Sequence, residues 1–197
     1  MMLANQLCKE VGLKRQLPIE YNEKTENHGK WDEEAAKSLC LKMLENYGGI
    51  EKYMPNWDIN EDGSDISHNL IDIFYLPYEN SESFILCYST SPGELNYGCH
   101  ACAPKISVFE FRRMNDQWEH GASFINAFSH GSWGSTSANQ FKVVKIGKNA
   151  FGIETRLGYT GTGMSIVTTD IWAVLGGNIK EVFSQCTSEE GGDTEGA

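Results

Sequence analysis

Two periodicities divide the chain. Between residues 32 and 49, Ala36, Leu39, Cys40, Met43, Leu44 and Tyr47 recur at intervals of three and four, the spacing of one buried helical stripe. Asp32 stands where a side-chain oxygen can cap the first free N–H groups. Glu33 and Glu34 suit the positive end of the helix dipole, and Gly48-Gly49 stop the helix. From Asn69 the pattern changes to short runs rich in Ile, Val, Phe and Tyr, at 69–76, 83–89, 106–114, 118–128, 141–146, 151–157, 164–175 and 179–184. Asn115-Asp116, Gly147–Ala150 and Gly176-Gly177-Asn178 supply turn residues between neighbouring runs, and a glycine- and serine-rich stretch occupies 129–139.

Strands do not alternate with helices, which argues against a doubly wound parallel sheet. The expected fold is α+β: an N-terminal helix packed on a mainly antiparallel β-meander, drawn into a curved sheet or partial barrel. The expected boundaries are a polar N-terminal segment at 1–30, a single domain at 31–186 and an acidic tail at 187–197. The tail has no apolar residue before Ala197, so disorder is expected there.

Charge changes this picture by being uneven. The formal net charge is −11, and residues 1–99 hold eight Lys/Arg against seventeen Asp/Glu. Residues 100–185 hold eight against six, and the remainder adds four acids and no base. Direct nucleic-acid binding is therefore not expected, because it needs a clustered basic face. The acidic half suits a basic protein partner, or serves solubility. No run approaches the ~18 apolar residues that a membrane span requires. Met1–Cys8 lacks a charged segment followed by an apolar one, so the chain is either cytoplasmic or begins after a removed signal.

Three motifs could carry chemistry. In Asp58-Ile59-Asn60-Glu61-Asp62-Gly63-Ser64-Asp65, the side chains of Asp58, Asn60, Asp62, Ser64 and Asp65 offer the hard oxygens calcium prefers, and Gly63 allows a sharp turn. The twelfth position of that loop is Asn69 rather than a bidentate Glu, and a solvated acidic loop explains the same residues. Calcium is the one cofactor the sequence suggests. Cys99 and Cys102, in Cys-His-Ala-Cys, suit a disulfide-stapled loop or a redox dithiol. No second ligand pair exists to complete a zinc site. Trp133 in Gly-Ser-Trp-Gly and Tyr159 in Gly-Tyr-Thr-Gly suit tight β-connections, and together they could line a binding surface. Glu154 and Asp170 are the remaining candidates for paired carboxylates, although nothing in the sequence places them together. No catalytic residue set emerges.

Taken in order, Cys99-His100-Ala101-Cys102-Ala103-Pro104, Phe109-Glu110-Phe111, Trp118, Gly131-Ser132-Trp133-Gly134, Gly158-Tyr159-Thr160-Gly161 and Glu181-Val182-Phe183 resemble a group of uncharacterised, often exported bacterial proteins. The resemblance spans roughly residues 66–185 and brings no known activity. It implies a periplasmic or secreted location, in which Cys99 and Cys102 would be oxidised. The function expected is that of a non-enzymatic bacterial binding protein, such as an inhibitor or immunity-type partner of another protein. The alternatives are a thiol-disulfide oxidoreductase using Cys99 and Cys102, and an acidic nucleic-acid mimic.

Overall fold

A computed structural model describes residues 31–53, 66–78, 81–92, 103–114, 117–132, 134–147, 150–161, 164–175 and 178–190. It divides into two compact units with the boundary at Ala138 and Asn139, inside the span that the sequence presents as one domain.

The first unit opens with helix α1 (Glu33–Tyr47) and a single helical turn, α2 (Ile50–Tyr53). Asp32 caps α1 as expected, its Oδ1 accepting the Ala35 N–H at 2.9 Å, and Gly48 ends it at φ 141°, a conformation that favours glycine. Strands β1 (Ile66–Pro77), β2 (Glu82–Pro92), β3 (Lys105–Met114) and β4 (Gln117–Ser129) then form an antiparallel meander in sequential order.

The helix lies on this sheet. Ala36, Cys40 and Leu44 of α1 join Tyr53, Phe84, Leu86, Tyr88, Phe109 and Phe111 in one buried cluster, and Met43 and Tyr47 pack at its margin. The buried stripe is narrower than the periodicity predicts. Leu39 remains 39% exposed, because only positions four apart on the helix point at the sheet and Leu39 falls to one side. Tyr53 fixes α2 by donating its hydroxyl to the Leu44 carbonyl at 2.7 Å, and burial pushes that phenol up to about 12. Opposite Ser107, strand β4 carries extra residues. There Asn126 takes φ 58° and donates its N–H to Ser107 Oγ at 3.0 Å, a bulge of the kind that re-aims a strand.

His68 on β1 sits between this core and β2. Its Nδ1 is 2.9 Å from Thr90 Oγ1, and its ring lies 5.5 Å from that of Tyr53. Burial lowers its pKa, against a smaller opposing pull from Glu45 on α1. A histidine whose folded pKa is depressed gives stability that is complete above the unfolded value near ~6.5 and is lost as pH falls through the folded one. Denaturant midpoints measured from pH 7.5 down to about pH 5 should therefore decline more steeply for the wild type than for His68→Gln. Parallel declines would mean that the imidazole takes no part.

The second unit is another four-stranded antiparallel meander, β5 (Phe141–Gly147), β6 (Ala150–Gly161), β7 (Met164–Leu175) and β8 (Asn178–Glu190), again in sequential order. All eight predicted strands thus exist, but not as a single curved sheet, and neither sheet is closed into a barrel. The ladder stops after β4. Gly131 and Gly134 take φ 109° and 67°, Ser132 and Ser135 close a small antiparallel bridge, and a 3-10 turn at Ala138–Gln140 follows. That backbone cannot continue an extended strand. Strand β8 also runs four residues into the segment expected to be disordered. Thr187 pairs with Val167 and Glu190 with Met164, so β7 offers a template there that composition does not reveal.

One sequence device occurs in both units. Glu110 on β3 and Glu154 on β6 are buried, and each is bound by the arginine two residues ahead on the same strand face. Arg112 reaches Glu110 at 2.8 Å and Arg156 reaches Glu154 at 2.7 Å. Period-two geometry makes this possible, since residues i and i+2 share a face. In each pair the arginine is half exposed, so its stem covers the carboxylate while its head stays wet.

Candidate functional site

The residue before the helix cap organises the site. Trp31 stacks on Phe84 with ring centroids 4.3 Å apart at 20°, and meets Phe111 and Trp118 edge-on at 5.5 and 5.2 Å. Phe84 also touches Trp118 at 4.9 Å and Tyr75 at 5.4 Å, while His120 stands edge-on to Phe111 at 5.6 Å. A tryptophan just ahead of a helix cap commonly packs on the first turn and fixes how the chain enters the helix. Here it also bridges to the sheet.

Above this cluster lies an open cleft of about 390 Å³, lined by Trp31, Asp32, Ala35, Ala36 and Leu39 from the helix side and by Phe111, Gln117, Trp118 and His120 from β3 and β4. Its size is at the lower end of ordinary ligand sites. Among the described residues, Asp32 is the only carboxylate in the lining, and no lysine or arginine lines it. His120 Nε2 lies 2.6 Å from Ser123 Oγ, which in turn donates to Met43 Sδ at 3.7 Å, so the imidazole is tied to the helix by way of β4. The nearby arginines of β3 are engaged elsewhere. Arg113 pairs with Glu82 at 3.2 Å and Arg112 with Glu110.

The motif residues singled out in the sequence do not form this site. Asp58, Asn60, Asp62, Ser64 and Asp65 lie outside the described residues, as do Cys99, Cys102 and Trp133. Tyr159 is placed by its backbone in β6, opposite Ile166, and its side chain is not among those described. Among the described residues, no group of three or more His, Cys, Asp or Glu converges in a way that could hold a metal. Glu154 and Asp170 are not a carboxylate pair. Glu154 faces with Ile171 and Asp170 with Thr155, so the two acids point to opposite sides of the sheet. Asp170 instead accepts a hydrogen bond from Ser184 at 2.7 Å.

Two described thiols are made unreactive by their surroundings. Burial pushes Cys40 up to about 12 and Cys87 higher still, while Cys186 is exposed. No described helix is long and apolar enough to cross a membrane.

The sequence marks Asp32 as a cap and Trp118 as the start of a strand, and it marks no role for Trp31. The available signal was a tryptophan directly before Asp-Glu-Glu at a helix start, with aromatic residues alternating along the runs that follow. No family model, curated protein or solved structure matches the chain. The resemblance to exported bacterial proteins therefore rests on the quoted motifs alone.

Proposed function

We propose that this chain is a non-enzymatic binding protein that docks a basic segment of another protein, acting as an inhibitor or immunity-type partner. The supporting observation is the open aromatic cleft at the start of α1, where Asp32, Glu33 and Glu34 bring three carboxylates together. Aromatic side chains at a concave surface are the usual anchors of a protein interface. An acidic surround speeds encounter with a basic partner and disfavours acidic ones.

The test is affinity capture with the full-length chain from cells that naturally express it, followed by elution with increasing salt. The expected result is one stoichiometric protein of basic character, released as ionic strength screens the attraction. Cys99→Ser and Cys102→Ser variants should capture it equally well, separating this reading from a thiol-disulfide exchange enzyme. Failure to recover any stoichiometric protein would overturn it.

A further inference from the structure

We propose that the cleft receives the guanidinium of an arginine on the partner's basic segment, placed against Trp31 and Trp118 and within reach of Asp32. The inference rests on the binding function proposed above and names the group that its site takes.

The chemistry of the lining selects a cation. Tryptophan has the most negative ring face of the aromatic side chains, and a cation over it is attracted more strongly as water is excluded. Trp31 and Trp118 are only partly buried, so each keeps surface toward the cleft. Asp32 supplies the counter-charge. Its Oδ1 is engaged with the Ala35 N–H, and a carboxylate has further lone pairs, on Oδ2 above all, for an incoming donor.

A helix start carries a partial positive charge of about half a unit. Asp32, Glu33 and Glu34 outweigh it. Lys37 offsets one of them, through contacts to Glu33 at 2.6 Å and Glu34 at 3.0 Å. The remaining sign is negative. An anion is disfavoured by the same count, and also because the cap already occupies the Ala35 N–H.

Other occupants fit less well. A purely apolar group would cover Asp32, Gln117 and His120 without satisfying them, and burying unpaired polar groups is costly. Arginine has five donors for these acceptors and a flat, weakly hydrated head that stacks on rings, whereas the lysine ammonium is compact and strongly hydrated. The chain's own Arg112 and Arg113 are held by Glu110 and Glu82, so they do not fill the role. A cleft of about 390 Å³ has room for one arginine side chain.

The experiment titrates the full-length protein with three blocked glycine-serine peptides that differ only at the centre, carrying arginine, lysine or citrulline. Calorimetry or tryptophan fluorescence reads the binding. Citrulline keeps the shape and removes the charge. The arginine peptide should bind about ten-fold tighter than the citrulline peptide, with lysine between them. Asp32→Asn keeps a capping side chain and removes the charge, and Trp118→Phe keeps an aromatic ring. Each should cut arginine affinity several-fold and leave citrulline binding nearly unchanged.

Equal binding of arginine and citrulline would overturn the proposal in favour of a neutral ligand. Equal binding of arginine and lysine would overturn it in favour of unspecific attraction, and absence of binding at millimolar peptide would overturn it outright. Capture of the cellular partner separates the arginine site from the binding function. If both variants still capture it in full, docking lies elsewhere while the binding function stands. If the wild type captures nothing, the binding function itself fails.

Discussion

Phe109→Ala should lower the stability of the first unit by about 3–5 kcal/mol, the cost of emptying an aromatic site in a packed core. Phe109 is fully buried on the middle of β3, where it meets Tyr88 edge-on at 5.9 Å and closes the floor beneath α1. Its neighbours are held by backbone ladders on both sides, opposite Leu86 on β2 and Ser123 on β4, so they cannot collapse into the space. The check is urea denaturation followed by far-ultraviolet circular dichroism. The midpoint should fall with little change in slope, because the surface exposed on unfolding is nearly the same. A loss below about 1 kcal/mol would mean that the helix does not rest on this residue. The effect should reach the cleft, since Phe111 lies two residues along the same face and the helix that carries Asp32 packs on both rings. A mild core variant such as Phe109→Leu should therefore weaken partner capture before it prevents folding.

The elements most legible in the sequence were those specified by local rules. Helix α1 follows from Asp32, the apolar recurrence and Gly48, all of which act within a turn or two of their own position. The strands follow from runs of β-branched and aromatic residues, and the two-residue connections from the polar pairs between them. Met114 pairs with Gln117 across Asn115-Asp116, and Leu175 with Asn178 across Gly176-Gly177. What local rules do not carry is where a ladder ends. A run of strands with short links is compatible with one sheet or two, and only the backbone at 130–140 decides between them.

The candidate site was less legible, for a related reason. Sequence reasoning finds chemistry where reactive residues lie close together in the chain, as in Asp58–Asp65 or Cys99–Cys102. The cleft is assembled from Trp31 and Asp32 at one place and Phe111, Trp118 and His120 some eighty residues later. Each of these has an ordinary structural role when taken alone. Trp31 covers a helix start, Phe111 is a core residue and Trp118 begins an edge strand. Their convergence depends on how α1 crosses the sheet, which brings its first turn to the end of β3 and the start of β4. The periodicity of the helix says which face is buried but not which end meets which strand.

The turn that ends the first sheet gives the sharpest test of this account. Gly131→Ala should destabilise the protein by about 3 kcal/mol or more, for two reasons that act together. Its φ of 109° is one that side-chain-bearing residues rarely adopt, and a methyl group added there would stand 2.1 Å from the Ser135 carbonyl oxygen. That oxygen is not free to move, because it accepts the Ser132 N–H at 3.1 Å while Ser135 N–H returns a bond to the Ser132 carbonyl at 2.9 Å. The chain approaching this turn is fixed as well, by the His130 N–H bonded to the Pro104 carbonyl at 3.2 Å. Relieving the clash therefore means breaking the bridge that takes the chain out of the β1–β4 ladder. Gly158→Ala is the control. It lies on an exposed stretch of β6, where the added methyl group meets nothing within 4 Å, and the change should leave stability unaltered or slightly raised. Thermal unfolding of the two variants side by side makes the comparison. A large loss confined to Gly131→Ala would place the end of the first sheet in that two-serine bridge. Equal and small effects would mean that the bridge opens at little cost, and that something other than this turn stops the strands from joining.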